Sequence, residues 1–164
     1  MNNKKNLIWV VIILIILVVG AYFLFFQKND EFVVRDKDSF TSQQDVLDYF
    51  EQYKQAQSKD IYGGKTPEET LGLFVDALKN GDVDLASKYF VLSKQEEIKE
   101  DLGMIKQRDN FEKFLPILTS QTEKHFYEYD NSYEFNFLNN EKVSIFSLFL
   151  SLNRESNLWK IEDL

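Results

Sequence analysis

A short stretch in the C-terminal part of the chain holds the residues best suited to acid–base chemistry. His125 is the only histidine, and its spacing from Tyr127 and Tyr129 predicts that the three side chains share one face of a strand. An imidazole among phenol groups in a pocket can transfer a proton near neutral pH. The alternative, which we favour, is a half-exposed strand histidine, because the sequence places no carboxylate to orient the ring. Together with Tyr89 from a preceding helix, these residues are candidates for a pocket, and we predict no catalytic residue.

Two other patterns suggest phosphate or metal binding but do not meet its requirements. Gly64-Lys65-Thr66 resembles the end of a phosphate-binding loop, but such a loop needs glycine at position 59, which is Lys59. An acidic run on a predicted helix is typical of a solvated face rather than a cation site; it consists of Glu96, Glu97, Glu100 and Asp101. A single histidine and no cysteine exclude a histidine cluster, a cysteine zinc site and a thiolate nucleophile. We therefore predict no metal and no cofactor.

The charge distribution bears on the kinds of partner. The formal net charge is −8, and all 27 acidic residues lie from Asp30 onward. Nucleic-acid binding needs clustered Lys and Arg, so the charge argues against nucleic acid as a partner. Anionic lipid head groups also repel such a domain.

An uncharged apolar segment near the N-terminus predicts a membrane anchor. Leu7 to Phe26 spans 20 residues, which at the helical rise matches a hydrocarbon core of about 30 Å. A cleaved signal would have a shorter apolar stretch and a small-residue cleavage site. The short N-terminal tail with Lys4 and Lys5 favours an N-terminus in the cytoplasm and a C-terminal domain outside it. The expected location is the cell membrane, with one span contacting the lipid bilayer.

The chain divides into three predicted regions. Residues 1–27 form a short cytoplasmic tail with the anchor, and residues 28–61 form a charged tether. Within this tether, apolar residues at helical spacing predict an amphipathic helix from Thr41 to Ser58. Residues 62–164 then form one domain of ordinary size.

Helix signals come first in this domain and strand signals follow. Thr66, Asp82 and Ser93 suit the N-cap positions of three short helices, and Phe111 to Leu118 predicts a short or kinked fourth helix because it contains a proline. Period-two patterns then predict four strands, at Lys124 to Tyr129, Tyr133 to Leu138, Val143 to Leu152 and Leu158 to Glu162. Short connections make these strands antiparallel. The predicted fold class is α+β, with helices packed on a curved four-stranded antiparallel sheet.

Two motifs resemble those of a known superfamily. They are the Thr66-Pro-Glu-Glu-Thr-Leu…Phe74-Val-Asp-Ala-Leu-Lys-Asn-Gly-Asp82…Leu85-Ala-Ser-Lys-Tyr-Phe90 stretch and the closing Leu158-Trp-Lys-Ile-Glu-Asp163 strand. Over roughly residues 62–164 the chain is similar to the nuclear transport factor 2-like, or cystatin-like, superfamily. Within it the chain most resembles bacterial membrane-anchored extracytoplasmic members of unknown function. The resemblance implies a cone-shaped fold.

The resemblance leaves several functions open, because the superfamily includes isomerases, dehydratases, secretion-system subunits and binding modules. We rank a non-catalytic extracytoplasmic binding or scaffolding module first. An assembly subunit of a secretion or cell-envelope complex comes second, and an isomerase- or dehydratase-type enzyme comes third.

The second face of the predicted sheet suggests where a partner binds. In the third strand, one side carries the core residues, which are Phe146, Leu148, Leu150 and Leu152. The other side carries Ile145 and Phe149, and leaving both in water would forgo about 1.5–3 kcal/mol each. We expect a second subunit to pack there sheet to sheet, giving a homodimer. The alternatives are that a different protein binds there or that the Thr41 to Ser58 helix folds back over them.

Overall fold

The computed structural model describes residues 32–108 and 110–163. Contacts within the chain define two compact units, residues 1–35 and 36–164, and the elements below belong to the second. The predicted anchor, Leu7 to Phe26, lies outside the described residues. None of the helices in the described ranges is both long enough and apolar enough to cross a bilayer.

The described chain forms five α-helices and then four strands. The helices are α1 (Gln43–Lys59), α2 (Pro67–Lys79), α3 (Val83–Lys88), α4 (Gln95–Gln107) and α5 (Phe111–Leu118). The strands are β1 (Thr122–Tyr127), β2 (Ser132–Leu138), β3 (Ser144–Asn153) and β4 (Leu158–Asp163). Single 3₁₀ turns occur at Lys37–Ser39 and Leu92–Lys94. The predicted α+β class and the four-stranded antiparallel sheet are confirmed.

Side-chain caps begin most of the helices where the sequence places them. The Thr66 hydroxyl accepts from the Glu69 amide at 3.2 Å, and the Asp82 carboxylate accepts from the Leu85 amide at 3.0 Å. The prediction for Ser93 is wrong, because a 3₁₀ turn continues directly into α4 and the N-cap is Lys94. Each cap satisfies a backbone amide that the helix itself leaves without an acceptor.

The four strands form a meander in the order β1-β2-β3-β4, with every pair antiparallel. Two isolated β-bridges cover the edge of β4 that faces away from β3. They join Gly64 to Trp159 and Phe90 to Ile161. The edge of β1 has no further strand beside it within the described residues. The sheet therefore has one covered edge and one open edge.

A glycine pair makes the first of these bridges possible. Gly63 has a φ of +136°, and a Cβ on it would lie 2.5 Å from the Trp159 carbonyl oxygen. The Gly64 amide donates to Thr70 Oγ1 at 2.8 Å, while its carbonyl accepts from the Trp159 amide at 2.9 Å. The two glycines thus let the backbone just before α2 lie close to β4, where a side chain would clash.

The core lies between the sheet and the helices α2 to α5. Its fully buried aromatic residues are Phe74 and Phe90 from the helical region and Phe135 and Phe137 from β2. Leu148 and Leu150 from β3 and Ile161 from β4 are also fully buried, and Phe146 packs against them. The predicted core side of the third strand is therefore confirmed for these three β3 residues, whereas Leu152 is half-buried and lies outside the core cluster. Helix α1 differs from the other helices, because none of its residues is buried.

Candidate binding surface

The strand registers assign the side of the sheet that faces away from the core, which we call the outer face. Its residues are Glu123, His125, Tyr127, Ser132, Glu134, Asn136, Leu138, Ser144, Ser147, Phe149, Ser151, Asn153, Leu158, Lys160 and Asp163. They alternate with residues that point into the core, as the two-residue period of a strand requires. Most of them are polar, which is ordinary for a sheet face that contacts water.

Two large apolar side chains of β3 are exposed, one on this face and one at the bulge of the strand. Phe149 is 40% exposed and Ile145 is 50% exposed. The register shifts between Phe137 and Leu138, so that Ile145 is the extra residue of a bulge in β3. The structure thus leaves both candidate interface residues accessible on the surface of the monomer.

Carboxylates lie directly beside the exposed phenylalanine. Glu134 on β2 and Asp163 on β4 are the cross-strand partners of Phe149. The regular pairing places the Glu134 Cβ about 4.5–5.5 Å from that of Phe149, while the pairing with Asp163 lies at a register shift. Tyr127 donates its hydroxyl to Glu134 Oε2 at 2.7 Å. This hydrogen bond raises the pKa of the tyrosine. The centre of the outer face is therefore apolar with acidic neighbours.

A cavity of about 370 Å³ opens at one end of the outer face, where the last turns of α1 lie beside β3 and β4. Tyr53 and Gln57 of α1 form one wall, and Ser151 and Lys160 come from the sheet. The remaining lining consists of Asp60, Val91, Leu92, Ser93, Leu152, Asn153, Arg154, Glu155 and Glu162. Its volume lies within the range of small-ligand pockets.

A buried ion pair adjoins this cavity. Lys160 Nζ donates to Asp60 Oδ2 at 2.6 Å, and the two side chains are 2% and 3% exposed. The same nitrogen donates to the carbonyls of Tyr62 at 2.8 Å and Lys88 at 2.6 Å, so all three of its protons are used. Burial lowers the pKa of Lys160, while the Asp60 carboxylate acts in the opposite direction. With every proton committed, this lysine serves structure rather than proton transfer.

A second contact fixes the end of α1 to the hairpin between β3 and β4. The Asn153 side-chain amide donates to the Gln57 carbonyl at 3.0 Å, and its oxygen accepts from the Glu155 amide at 3.0 Å. Elsewhere α1 remains accessible, because Leu47 and Phe50 are more than half exposed. The C-terminal end of α1 is therefore fixed beside the β3–β4 hairpin, and Phe149 keeps its exposure.

The four candidate pocket residues do not share one location. Tyr89 is buried in the core cluster, and burial raises its pKa. His125 and Tyr127 lie on the outer face by register, and both are exposed. Tyr129 follows β1 in the turn and is 85% exposed. The core thus separates Tyr89 from the other three residues.

On the core side, at the end of the sheet near α2, lies a cluster that the sequence analysis does not identify. Glu68 Oε1 accepts from Lys124 Nζ at 2.9 Å and from the Tyr133 hydroxyl at 3.1 Å. Partial burial works to raise the pKa of Glu68, but these hydrogen bonds lower it overall. The ring centroids of Phe126 and Trp159 lie 6.4 Å apart beside them. The contact spans α2, β1 and β2, and no local spacing in the sequence connects these elements.

Comparison with protein-family models, with curated proteins and with solved structures found no match to this chain.

Proposed function

We propose that this chain is a membrane-anchored binding or scaffolding module that presents the outer face of its sheet to a partner outside the cytoplasm. The observation that carries the proposal is the exposure of Phe149 on a mostly polar face and of Ile145 at the bulge of the same strand. Burying the area that each still exposes, 40% of Phe149 and 50% of Ile145, would contribute roughly 1 kcal/mol each to an association, about half the value for full burial. Leu7 to Phe26 would hold the module in the cell membrane, with the short N-terminus in the cytoplasm.

The order of elements supports the proposed superfamily. Capped helices followed by a four-stranded antiparallel meander agree with a cone-shaped nuclear transport factor 2-like fold in which the helices close one side of a curved sheet. The Phe90 to Ile161 bridge links the two stretches on which the resemblance rests. In this proposal the superfamily supplies the architecture, and the outer face supplies the function.

A filled core favours binding over catalysis. The superfamily's enzymes place an ionisable group inside the cone, whereas here four phenylalanine side chains with less than 2% exposure occupy the core. Within the described ranges, the buried charged residues are Asp60 and Lys160, which pair with each other. We therefore rank an isomerase- or dehydratase-type activity last.

An assembly subunit of a secretion or cell-envelope complex is the second candidate. The same exposed face favours it, because subunits of such complexes need accessible apolar surface for their neighbours. The single anchor followed by one small domain also fits this role. The two candidates differ in whether the partner is bound permanently.

Site-specific photo-crosslinking in intact cells tests the proposal. A photoreactive phenylalanine analogue at position 149 should give a crosslinked product, while the same analogue at Met104 of α4, which is 48% exposed, should not. Protease added to spheroplasts should digest the domain before lysis. Equal crosslinking at both positions would contradict the binding face, and survival of the domain until lysis would contradict the topology.

A further inference from the structure

The charges of the outer face restrict which partner can cover it, and the argument rests on the proposed binding function. Glu134 and Asp163 flank Phe149 in the register, and Glu123 lies on the same face of β1. Among the residues that the registers assign to this face, Lys160 alone is a lysine or arginine. It is buried and already paired with Asp60. The accessible charge of the face is therefore negative.

This charge pattern disfavours a second copy of the chain. A two-fold sheet-to-sheet contact centred on Phe149 would bring the carboxylates of one copy toward those of the other. Among the described residues that the registers assign to this face, Lys160 is the one lysine or arginine, and it is buried. The carboxylates of Glu123 and Glu134 in the two copies would therefore repel each other when removed from water. A dimer that buried Phe149 against the Phe149 of the second copy would thus be opposed by repulsion between the surrounding carboxylates.

The cavity beside the outer face extends the same pattern. Ser151 belongs to both, so the cavity is continuous with the face. Its wall carries Glu155 and Glu162 against Arg154, since Lys160 and Asp60 neutralise each other. A long cationic side chain placed there would meet carboxylates on the wall of the cavity.

We infer that the outer face binds a basic segment of another protein. An apolar residue of that segment packs on Phe149 and Ile145, and its Lys or Arg side chains lie beside Glu134 and Glu123. A further cationic side chain enters the cavity next to Glu162. Apolar contact gives this association its affinity, and charge complementarity selects its partner.

Peptide binding to the full-length chain in nanodiscs of zwitterionic lipid tests the inference. The probe is a fluorescent peptide with one phenylalanine between two pairs of lysines, and its glutamate counterpart is the control peptide. Anisotropy should show binding of the lysine peptide only, and empty nanodiscs correct for lipid. Glu134→Lys should weaken the affinity by about fivefold, the size of one lost surface ion pair.

Glu96→Lys is the matched control variant. Glu96 is exposed on α4, so its reversal changes the net charge equally but leaves the outer face intact. Its affinity for the lysine peptide should stay within about twofold of the wild type, since the two sites are remote. Glu123→Lys repeats the test at an exposed position, in case Glu134→Lys disturbs folding.

Three results would overturn the inference. Equal weakening by Glu134→Lys and Glu96→Lys would show general charge attraction, and equal binding of both peptides would show that charge plays no part. A wild-type dimer that Phe149→Glu makes monomeric would identify a second copy as the occupant and leave the proposed binding function intact. Absence of a crosslink at position 149 in cells would instead refute the proposed function itself.

Discussion

The buried ion pair predicts a large loss of stability from a single isosteric substitution. Asp60→Asn keeps the shape of the side chain but removes the charge that faces Lys160 Nζ at 2.6 Å. Removing one partner of a buried pair costs about 3–5 kcal/mol. If Lys160 instead folds in its neutral form, the cost at pH 7 is about 4.6 kcal/mol, because its ordinary pKa is about 10.4. Both routes predict a similar loss, which is a large part of the free energy of unfolding of a typical domain, about 5–15 kcal/mol.

The dependence on pH identifies which route the variant takes. Burial already lowers the pKa of Lys160 in the wild type, and removing the Asp60 carboxylate lowers it further. If Lys160 folds in its neutral form, the unfolded variant binds one more proton than the folded variant at neutral pH. Its free energy of unfolding should therefore rise with pH, by about 1.4 kcal/mol per unit, until the unfolded lysine titrates near pH 10.4.

Urea denaturation of residues 36–164 at pH 7, 8 and 9 measures both effects. Asp76→Asn is the control, because Asp76 pairs with Lys79 at 3.1 Å with both side chains more than half exposed. Its loss should stay below about 0.5 kcal/mol. A loss under about 1 kcal/mol for Asp60→Asn, without a rise in stability from pH 7 to 9, would refute the reasoning. A chain starting at Tyr62 lacks both Asp60 and the Gln57 carbonyl that Asn153 contacts, so it should be less stable than residues 36–164.

Two further predictions concern the start of α2. Gly64→Ala should lower the free energy of unfolding by about 1–3 kcal/mol, because the new Cβ would lie 2.5 Å from Glu69 Cβ. A Cβ at Gly72 meets nothing within 4 Å, so Gly72→Ala should instead raise the free energy of unfolding by about 0.5–1 kcal/mol. If thermal denaturation showed Gly64→Ala to be the more stable variant, the packing around these glycines would be contradicted. Glu68→Gln should lower the Tm at pH 7, because Lys124 and its neighbours hold the pKa of Glu68 below 4.5. The difference in Tm should close as the pH falls through the folded pKa, and a difference that persists at pH 2 would exclude the ion pair as its cause.

Local signals predict much of this fold. The caps at Thr66 and Asp82 depend on residues within one helical turn, and the period-two strands depend on burial of alternate residues, so both are present in short windows of sequence. The first strand shows the limit of these local signals. The sequence predicts its end at Tyr129, but a turn ends β1 at Tyr127. The Ser93 cap fails for another reason, since a 3₁₀ turn continues into α4 and shifts the N-cap by one residue.

The candidate surface is less accessible to sequence analysis. Exposure of Phe149 follows from strand alternation, and the sequence therefore predicts it. The position of α1 does not follow, because its contacts join residues far apart in the chain: Gln57 with Asn153, and Asp60 with Lys160. A lysine in a terminal strand is typical of a solvated position, and only the folded chain shows that it is buried. A domain boundary at residue 62 therefore separates Asp60 from Lys160, an ion pair that the sequence does not indicate.

The single open edge of the sheet limits how copies of this chain can join through their backbones. A growing fibre needs two free strand edges on every copy, one for each neighbour. Within the described strands β1 offers one, while Gly64 and Phe90 cover the other at β4. Pairing through β1 therefore stops at two copies. Longer assemblies first require the segment around Gly64 to separate from Trp159, so the glycine pair that closes the domain also protects it from polymerisation.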